Sequence, residues 1–446
     1  MAIDPSIFKP YDVRGTYPVQ LNEETAYQVG RAFIAQMQTP RIAVGRDMRL
    51  SSPAIAQAFV RGAVQQGAEA VDLGLTSSDE LYCAVGHFGL PAGVMITASH
   101  NPGNYNGLKF CLANAVPVSS DTGLNDVRDL VLGNRIPPGT AGGRTTSLDA
   151  LPSYVEKVLR FVHKAKLRPL RVVVDAGNGM AGQVVPAVFG DLPVEIVPLY
   201  FELDGHFPHH PASPIEPQNM VDLQKAVREH HADLGAAFDG DADRMFLVDE
   251  QGKLADGSVV VLMVARSLLH KFPGSTILYN LICSRSVPEL IERDGGRGVR
   301  TRVGHSFIKA QMRAEDAIFG GEHSGHFYYR DFWYADSGMI SLLMCLEILS
   351  EEGRPASEVI ASLDRRCRSG EINSTVANIP AKLRQLQAQH SDGKIDHLDG
   401  VTVQYDHWWF NVRPSGTEPL LRLNVEADDC ATMEARRDEL LKVIRS

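Results

Sequence analysis

The strongest constraint on this chain's fold is a recurring pattern in which a short apolar run ends in glycine and aspartate and passes into helix-forming sequence. It occurs as Arg41-Ile42-Ala43-Val44 before Gly45-Arg46-Asp47, and as Val172-Val173-Val174 before Asp175-Ala176-Gly177-Asn178-Gly179. It returns as Leu234-Gly235-Ala236-Ala237-Phe238 before Asp239-Gly240-Asp241. Runs that are apolar throughout, rather than alternating, suit strands covered on both faces by the helices that connect them. The chain therefore predicts α/β layers with buried, largely parallel strands. At 446 residues it is too long for one compact core, and 44% hydrophobic residues can furnish several.

Joints between units fall where composition changes. Residues 136–147 are rich in Pro, Gly and Thr, Asp249-Glu250-Gln251-Gly252-Lys253 is a polar turn, and a third shift lies near Cys367 to Ile372, after a predicted helix from Ser357 to Asp364. Beyond it, alternation in Val401-Thr402-Val403-Gln404-Tyr405 and the run Leu420 to Val425 predict strands of a smaller α+β unit, closed by a helix from Thr432 to Ile444. The joints divide the chain into 1–147, 148–250, 251–367 and 368–446.

Charge and cysteine usage narrow the function classes. A net charge of -10, from 44 basic and 54 acidic residues with no long basic run, argues against nucleic acid or an anionic membrane as the main partner. Met1-Ala2-Ile3-Asp4-Pro5 does not read as a leader, and the apolar run from Ile340 to Leu349 is broken by Glu347, so a cytoplasmic protein without a membrane span is expected. The six cysteines, Cys83, Cys111, Cys283, Cys345, Cys367 and Cys430, include no Cys-x-x-Cys pair. They predict reduced, mostly buried thiols, none of them a nucleophile.

Four polar clusters carry the chemistry. Thr97-Ala98-Ser99-His100-Asn101-Pro102 follows the apolar Val94-Met95-Ile96 and sets one hydroxyl on a strand-to-loop transition, where side chains face ligands. By itself it also reads as a polar turn. Asp239, Asp241 and Asp243, separated only by small residues, can converge on one hard cation. A calcium EF-hand would place Glu250 at its twelfth position, but Arg244 stands where that loop needs glycine, and Met245-Phe246-Leu247-Val248 reads as a strand. Three carboxylates leave room for water or a phosphate oxygen, which is the habit of magnesium.

In Gly320-Gly321-Glu322-His323-Ser324-Gly325-His326, Glu322 and Ser324 suit neighbouring sugar hydroxyls. Zinc held by Glu322, His323 and His326 is disfavoured by Gly325, which discourages the helix such a site would need. Arg413-Pro414-Ser415-Gly416-Thr417 supplies a guanidinium, two hydroxyls and an approachable backbone amide, the parts of a phosphate cradle. Gly177-Asn178-Gly179-Met180-Ala181-Gly182 matches G-x-G-x-x-G, with Glu202 twenty residues on. Pro186, Pro193 and Pro198 interrupt that segment, however, and a tight βα turn explains the glycines without a nucleotide.

Taken in this order, the four loops resemble the α-D-phosphohexomutase superfamily across essentially the whole chain. The opening Phe8-Lys9-Pro10-Tyr11-Asp12-Val13-Arg14-Gly15 is similar to the phosphomannomutase/phosphoglucomutase branch. The phosphoglucosamine mutase branch tends to open Gly-Thr-Asp-Gly-x-Arg-Gly and to carry glutamine where this chain has His323. The resemblance implies an α/β fold of four domains around a central cleft, three of them related and with mixed sheets, plus a smaller C-terminal α+β domain. Each domain would contribute one loop.

The implied activity is reversible interconversion of hexose 1-phosphate and hexose 6-phosphate, mannose and/or glucose, through an enzyme phosphoserine and a hexose 1,6-bisphosphate that serves as intermediate and activator. Phosphoglucosamine mutase is the alternative, and a magnesium phosphatase or a non-catalytic sugar-phosphate sensor stands behind it. Ser99 would carry the phosphoryl group and bind Mg2+ together with Asp239, Asp241 and Asp243. Glu322 and Ser324 would hold sugar hydroxyls, while Arg413, Ser415, Gly416 and Thr417 would hold the phosphate that is not reacting. Tyr11, Arg14, Lys109, Arg244 and His305 would line the cleft, with His100, Lys109 and Arg14 handling protons. Partners would be small sugar phosphates, for a monomer or homodimer. Reorientation of the bisphosphate predicts movement of the last domain. One departure stands out at Leu281-Ile282-Cys283-Ser284-Arg285, where some members carry a basic residue: Ile282 cannot make that contact, and Arg285 is the candidate replacement.

Overall fold

The computed structural model describes residues 3–415 and 420–446, and among them four β-sheets follow one another along the chain. The first runs Val13–Thr16, Tyr105–Leu112, Ala92–Ile96, Arg41–Arg46, Glu69–Leu75, Arg144–Ser147, with Val116–Pro117 beside Tyr105–Leu112. The second runs Leu254–Ala255, Met245–Asp249, Leu234–Phe238, Leu170–Asp175, Val194–Leu199. The third runs Arg297–Thr301, Thr276–Asn280, Phe319–Gly321, Phe327–Tyr329, Ala335–Asp336. The fourth is wholly antiparallel, in the order Cys367–Arg368, Leu420–Ala427, Trp408–Pro414, Val401–Gln404, Lys394–Asp396, with Ile372–Thr375 also on Leu420–Ala427.

The continuous apolar runs form the parallel centres. Arg41–Arg46 pairs in parallel with Glu69–Leu75 and Ala92–Ile96, and Leu170–Asp175 does so with Leu234–Phe238 and Val194–Leu199. All three α/β sheets are nonetheless mixed, because in each a parallel strand turns straight back into an antiparallel one. The pairs are Ala92–Ile96 with Tyr105–Leu112, Leu234–Phe238 with Met245–Asp249, and Phe319–Gly321 with Phe327–Tyr329. The turnbacks leave residues 97–104, 239–244 and 322–326 as short loops at the carboxyl ends of parallel strands, where α/β sheets bind ligands. Three of the polar clusters are these loops. The fourth begins at the end of Trp408–Pro414, whose partner strand is Leu420–Ala427.

One apolar core runs through the first three units, from Ala43 and Leu81 through Val172 and Leu234 to Leu343 and Val359. The fourth unit has its own, built on Leu386, Val403, Phe410, Leu421, Leu423 and Leu440. The helix Gly338–Glu352 is buried inside the shared core. There Glu347 accepts from the His163 amide at 2.7 Å and pairs with Lys271. Among the described residues no helix is long and apolar enough to cross a membrane. The helices expected near 357–364 and 432–444 are Ala356–Leu363 and Cys430–Arg445.

Cysteine pairing departs from the expectation of reduced thiols. Cys83, Cys111, Cys283 and Cys345 are free and buried, but Cys367 and Cys430 form a disulfide. The sheet is the cause: Cys367 pairs with Ala427 at the end of its strand, and Cys430 opens the final helix three residues later, bringing the two Cα atoms to 5.0 Å. Their 63-residue separation in sequence hides that proximity.

Candidate active site

The serine loop and the aspartate loop meet backbone to backbone. A Cβ on Gly240 would lie 2.5 Å from the Ser99 carbonyl oxygen, so glycine alone permits the contact. Ser99 is fully buried with φ +51°, and its hydroxyl donates to Asp239 Oδ2 at 2.6 Å. His100 Nδ1 lies 3.4 Å from the same hydroxyl. Asp241 is tied to the first unit by Ser78, whose amide donates to its carbonyl at 3.0 Å and whose hydroxyl donates to Oδ2 at 2.5 Å. Lys109 Nζ bridges Asp241 Oδ2 at 2.6 Å and Asp243 Oδ2 at 2.9 Å.

Three carboxylates in so small a volume perturb one another. Burial, then the Asp243 and Asp241 charges, push the Asp239 carboxyl far up. Burial, then Asp241, lift Asp243 to about 6. Burial acts upward on Asp241 too, but Lys109 and Ser78 outweigh it and hold this carboxyl below its ordinary value. Burial works against the charge of Lys109, yet Asp241 and Asp243 together hold its ammonium protonated.

The cluster has the character of a cation site. Asp241 Oδ1 and Asp243 Oδ1 are buried without a hydrogen-bond partner, and the carboxylate oxygens of Asp239, Asp241 and Asp243 lie within 4.8 Å of one another. Hard oxygen donors with unsatisfied lone pairs could hold a divalent metal ion. Among the described residues the other such group is Asp243, His326 and Asp336. It already holds cations, since Lys309 Nζ donates to Asp336 Oδ1 at 2.5 Å and Arg244 donates to His326. Among the described residues, Glu322, His323 and His326 do not fall into such a group.

Arg244 links three loops. Its Nη2 donates to His100 Nδ1 at 2.9 Å and its Nε to His326 Nε2 at 3.1 Å, with Asp239 Oδ2 at 3.5 Å. An arginine can only donate, so both imidazole nitrogens it meets carry lone pairs. The His326 proton then sits on Nδ1 and is given to Ser324 Oγ at 3.3 Å. The Arg244 charge, then burial, hold His100 well below its ordinary pKa; burial, then Arg244, do the same for His326.

A second group gathers at the third unit. Tyr11 meets His305 edge to face at 4.8 Å between ring centroids. His305 opens the helix His305–Glu315, and burial followed by the Lys309 charge pushes it down to about 3. Glu322 Oε1 accepts from Tyr328 Oη at 2.5 Å, and its Oε2 accepts from Asn280 Nδ2 and the Gly304 amide, each at 3.3 Å. A carboxylate offers roughly four acceptor positions, so these three donors leave one unused. Arg14 pairs with Asp12 and donates to Asn101 Oδ1 at 2.5 Å, bracing the serine loop from the first strand.

In the fourth unit, Arg413 Nη2 bonds Glu371 Oε2 at 2.8 Å, and Arg422 bonds Glu371 Oε1 at 3.0 Å and Ser415 Oγ at 3.3 Å. Arg413 Nε is buried without a partner. Gly416 and Thr417 lie outside the described residues. Arg285 does not take the place left by Ile282: its guanidinium donates to the Asp406 carbonyl at 3.3 Å and its amide to Glu426 at 3.0 Å, joining the third unit to the fourth. The G-x-G-x-x-G turn is a packing device, since a Cβ on Gly179 would meet the Gly240 carbonyl at 2.8 Å and one on Gly182 the Phe201 carbonyl at 2.1 Å.

Sequence reasoning missed Ser78, Asn280, Lys309, Tyr328, Asp336, Glu371 and Arg422. No motif marks them, since each matters only through a partner on another strand or unit. His326 was visible in its loop, but its bond to Arg244 was not.

A buried serine on the first unit, bonded to a carboxylate of the second, and two arginines on paired strands of the fourth are groups suited to phosphoryl transfer. The sequence matches the phosphoglucomutase/phosphomannomutase family in all its parts: alpha/beta/alpha domain I over residues 5–133, domain II over 152–252, domain III over 256–366 and the C-terminal domain over 371–443. It is 40% identical over 452 residues to a phosphomannomutase of Escherichia coli, covering 98% of this chain and 99% of the relative. A Xanthomonas campestris pv. campestris relative named phosphohexose mutases is 40% identical over 442 residues, with 98% and 99% covered. The solved phosphoglucomutase/phosphomannomutase family protein of Burkholderia thailandensis has a TM-score of 0.90 and 30% identity, covering 99% of this chain and 97% of that one. The chain belongs to the phosphoglucomutase/phosphomannomutase family and is an isomerase-type phosphotransferase that interconverts hexose phosphates.

Proposed function

We propose that the protein moves a phosphoryl group between O1 and O6 of mannose and glucose phosphates, with Ser99 as the covalent carrier. The observation that carries this reading is the Ser99 hydroxyl, buried and donating at 2.6 Å to Asp239 inside a cluster with two unsatisfied carboxylate oxygens. Such a hydroxyl is sheltered from bulk water and set where charge on a phosphoryl group can be neutralised.

In the forward half, the bond between phosphorus and Ser99 Oγ breaks as phosphorus bonds the free hydroxyl oxygen of a hexose monophosphate. That hydroxyl gives up its proton and Ser99 Oγ gains one. The bisphosphate then turns end for end, and Ser99 takes the other phosphoryl group, leaving the isomeric monophosphate. Asp239, Asp241, Asp243 and the phosphorylated Ser99 would hold Mg2+, which supplies charge neutralisation at the phosphoryl oxygens. Arg244 and Lys109 flank the carboxylates and add fixed positive charge. His100 and His326 are held neutral as acceptors of the Arg244 N–H groups, Lys109 stays charged, and Arg14 braces the serine loop. Glu322 and Ser324 take sugar hydroxyls beside Tyr11 and His305, and Arg413 with Ser415 grips the distant phosphate once Glu371 yields it. Both phosphates must fit that cradle in turn, so movement of the fourth unit accompanies reorientation. The reaction needs only soluble sugar phosphates, which fits a cytoplasmic protein.

The test is to load the protein with hexose 1,6-bisphosphate and locate the phosphate by mass spectrometry, then assay mannose and glucose 1-phosphates in parallel. Phosphate on Ser99 and formation of both 6-phosphates are expected. A phosphate elsewhere, or a release of inorganic phosphate matching substrate loss, would sink the carrier role.

A further inference from the structure

We propose that Arg49 is a positioning residue that fixes the orientation of Ser99 for phosphoryl transfer; this rests on the carrier role of Ser99. The Arg49 and Asp47 side chains are both fully buried, and Arg49 Nε bonds Asp47 Oδ2 at 3.1 Å. The four remaining guanidinium N–H groups all go to the serine loop. Nη2 donates to the carbonyls of Ser99 and Asn101, each at 2.7 Å, and Nη1 to those of Pro102 at 2.7 Å and Tyr105 at 3.1 Å. All five donors of the planar fork are thereby used, four of them on one seven-residue stretch.

The base of this clamp is rigid. Asp47 Oδ1 accepts from the Arg49 amide at 3.0 Å and from Ser52 Oγ at 2.5 Å. Asn106, just past the loop, donates to Ser51 and Ser52 at 2.8 and 3.0 Å. From the second unit, Phe207 covers the guanidinium at 5.1 Å, and Gly205 lies so close that a Cβ there would reach the Arg49 Cα at 2.7 Å.

Ser99 needs such a clamp. Its φ of +51° lies in the left-handed region, which a serine occupies only when its surroundings impose it. Its carbonyl is pinned between Arg49 and the backbone of Gly240, which sets the direction of the hydroxyl toward Asp239. The serine must point the same way before and after it gives up its phosphoryl group, because Ser78 and Lys109 fix Asp241 and Asp243 and the Arg244 amide holds Asp239 Oδ1 at 3.2 Å. Arg49 is buried with all five donors taken up inside the protein, so it acts through Ser99.

The test uses the full chain. Wild type and Arg49→Lys are phosphorylated with hexose 1,6-bisphosphate, then mixed with hexose 6-phosphate, and the rate and extent of transfer from Ser99 are followed in a single turnover. Lysine keeps the charge beside Asp47 but cannot span four carbonyls. A fall in rate of about 100-fold, of the size a displacement near 1 Å produces, is expected with the extent unchanged and KM within about threefold. The paired change Asp47→Asn with Arg49→Gln, which buries no lone charge, gives the same result if lysine is not accommodated. Lys271→Met breaks the buried pair with Glu347 and serves as the control, lowering stability with turnover unchanged. A variant that transfers at the wild-type rate, or one whose extent falls while its rate holds, overturns the role of Arg49. Absence of phosphate from Ser99 in the wild type overturns the carrier reading itself.

Discussion

The first three units and the fourth are built on different terms. A single apolar core passes through units one to three, and their loops are stitched together at the site by Ser99 to Asp239, Ser78 to Asp241 and Arg244 to His326. The fourth unit packs around a core of its own and meets the third through charged side chains. Arg366 reaches Glu289 at 2.8 Å on one side and Asp428 at 3.3 Å on the other, while Arg368 reaches Asp256 at 2.5 Å and Glu426 at 3.6 Å. Breaking the shared core costs apolar burial, whereas partly exposed ion pairs exchange for water at little cost. The difference teaches where the molecule is held by shared apolar packing and where by charge: the serine and aspartate loops sit on units with one core, whereas Arg413 and Ser415 sit on a unit joined through ion pairs.

The comparison is broken most completely at the serine and aspartate loops. Ser99→Ala removes the carrier and is expected to reduce turnover on the order of 10⁴-fold or more, with hexose phosphate binding within a few fold by calorimetry. Near-normal turnover would mean that some other group carries the phosphoryl. Asp241→Asn takes one charge from the carboxylate cluster and one partner from Lys109, and a loss of roughly 100-fold in magnesium-dependent turnover is expected. Turnover that persists in chelator would detach the cluster from metal binding.

The units that share a core have a pH-sensitive joint. Asp79 accepts from Ser77 at 2.5 Å in the first unit, Tyr154 at 2.7 Å in the second and Ser337 at 2.7 Å in the third. Burial lifts its carboxyl to about 6 from the usual 3.8. A carboxyl raised in this way binds its proton more tightly in the folded state, so its contribution to stability is complete below the unfolded value and is lost as pH rises through about 6. Asp79→Asn stays neutral, and its stability relative to wild type is expected to rise by at most about 3 kcal/mol between pH 4 and pH 7. Urea unfolding at the two pH values measures this, and a pH-independent difference would show that Asp79 does not titrate there.

Much of the shared-core part was legible in the sequence because its signals are local. Strands such as Leu170–Asp175 and Leu234–Phe238 are apolar throughout, and the loops that end them carry their chemistry in consecutive residues. Less legible was anything made by pairing across distance. The antiparallel turnbacks that aim the loops and the Cys367–Cys430 bridge depend on strand register, and the Lys309–Asp336 pair on a helix packing against a strand. Arg285 was a candidate to replace the basic residue missing at Ile282, but Glu426 and Asp406 draw it to the joint with the fourth unit. Arg49, two residues past Gly45-Arg46-Asp47, belongs to none of the polar clusters, and only tertiary contact turns it inward onto the serine loop.

The ion-paired side is broken more gently. Arg413→Ala removes the guanidinium of the phosphate turn, and a loss of roughly 2–3 kcal/mol in kcat/KM is expected, carried chiefly by KM because the grip is on the phosphate that does not react. An equal loss in kcat with KM unchanged would place Arg413 in the transfer step itself.

The smallest change is the most discriminating. Glu371 holds Arg413 at 2.8 Å and Arg422 at 3.0 Å, and its side chain is 18% exposed. It therefore occupies the cations a phosphate would use, as a carboxylate standing in for the ligand. Glu371→Gln keeps the shape and removes the competing charge, so the turn becomes more positive and KM is expected to fall about threefold, the size of a partly exposed ion pair. The same loss of one carboxylate charge is expected to cripple turnover at Asp241 and to tighten binding at Glu371, if the first carboxylate belongs to a preformed site and the second is displaced to make one. Steady-state kinetics at low and high ionic strength separate the two cases, since the Glu371→Gln gain should shrink with added salt. If KM rises instead, Glu371 aims Arg413 rather than competing for it, and the phosphate turn is as preorganised as the carboxylate cluster.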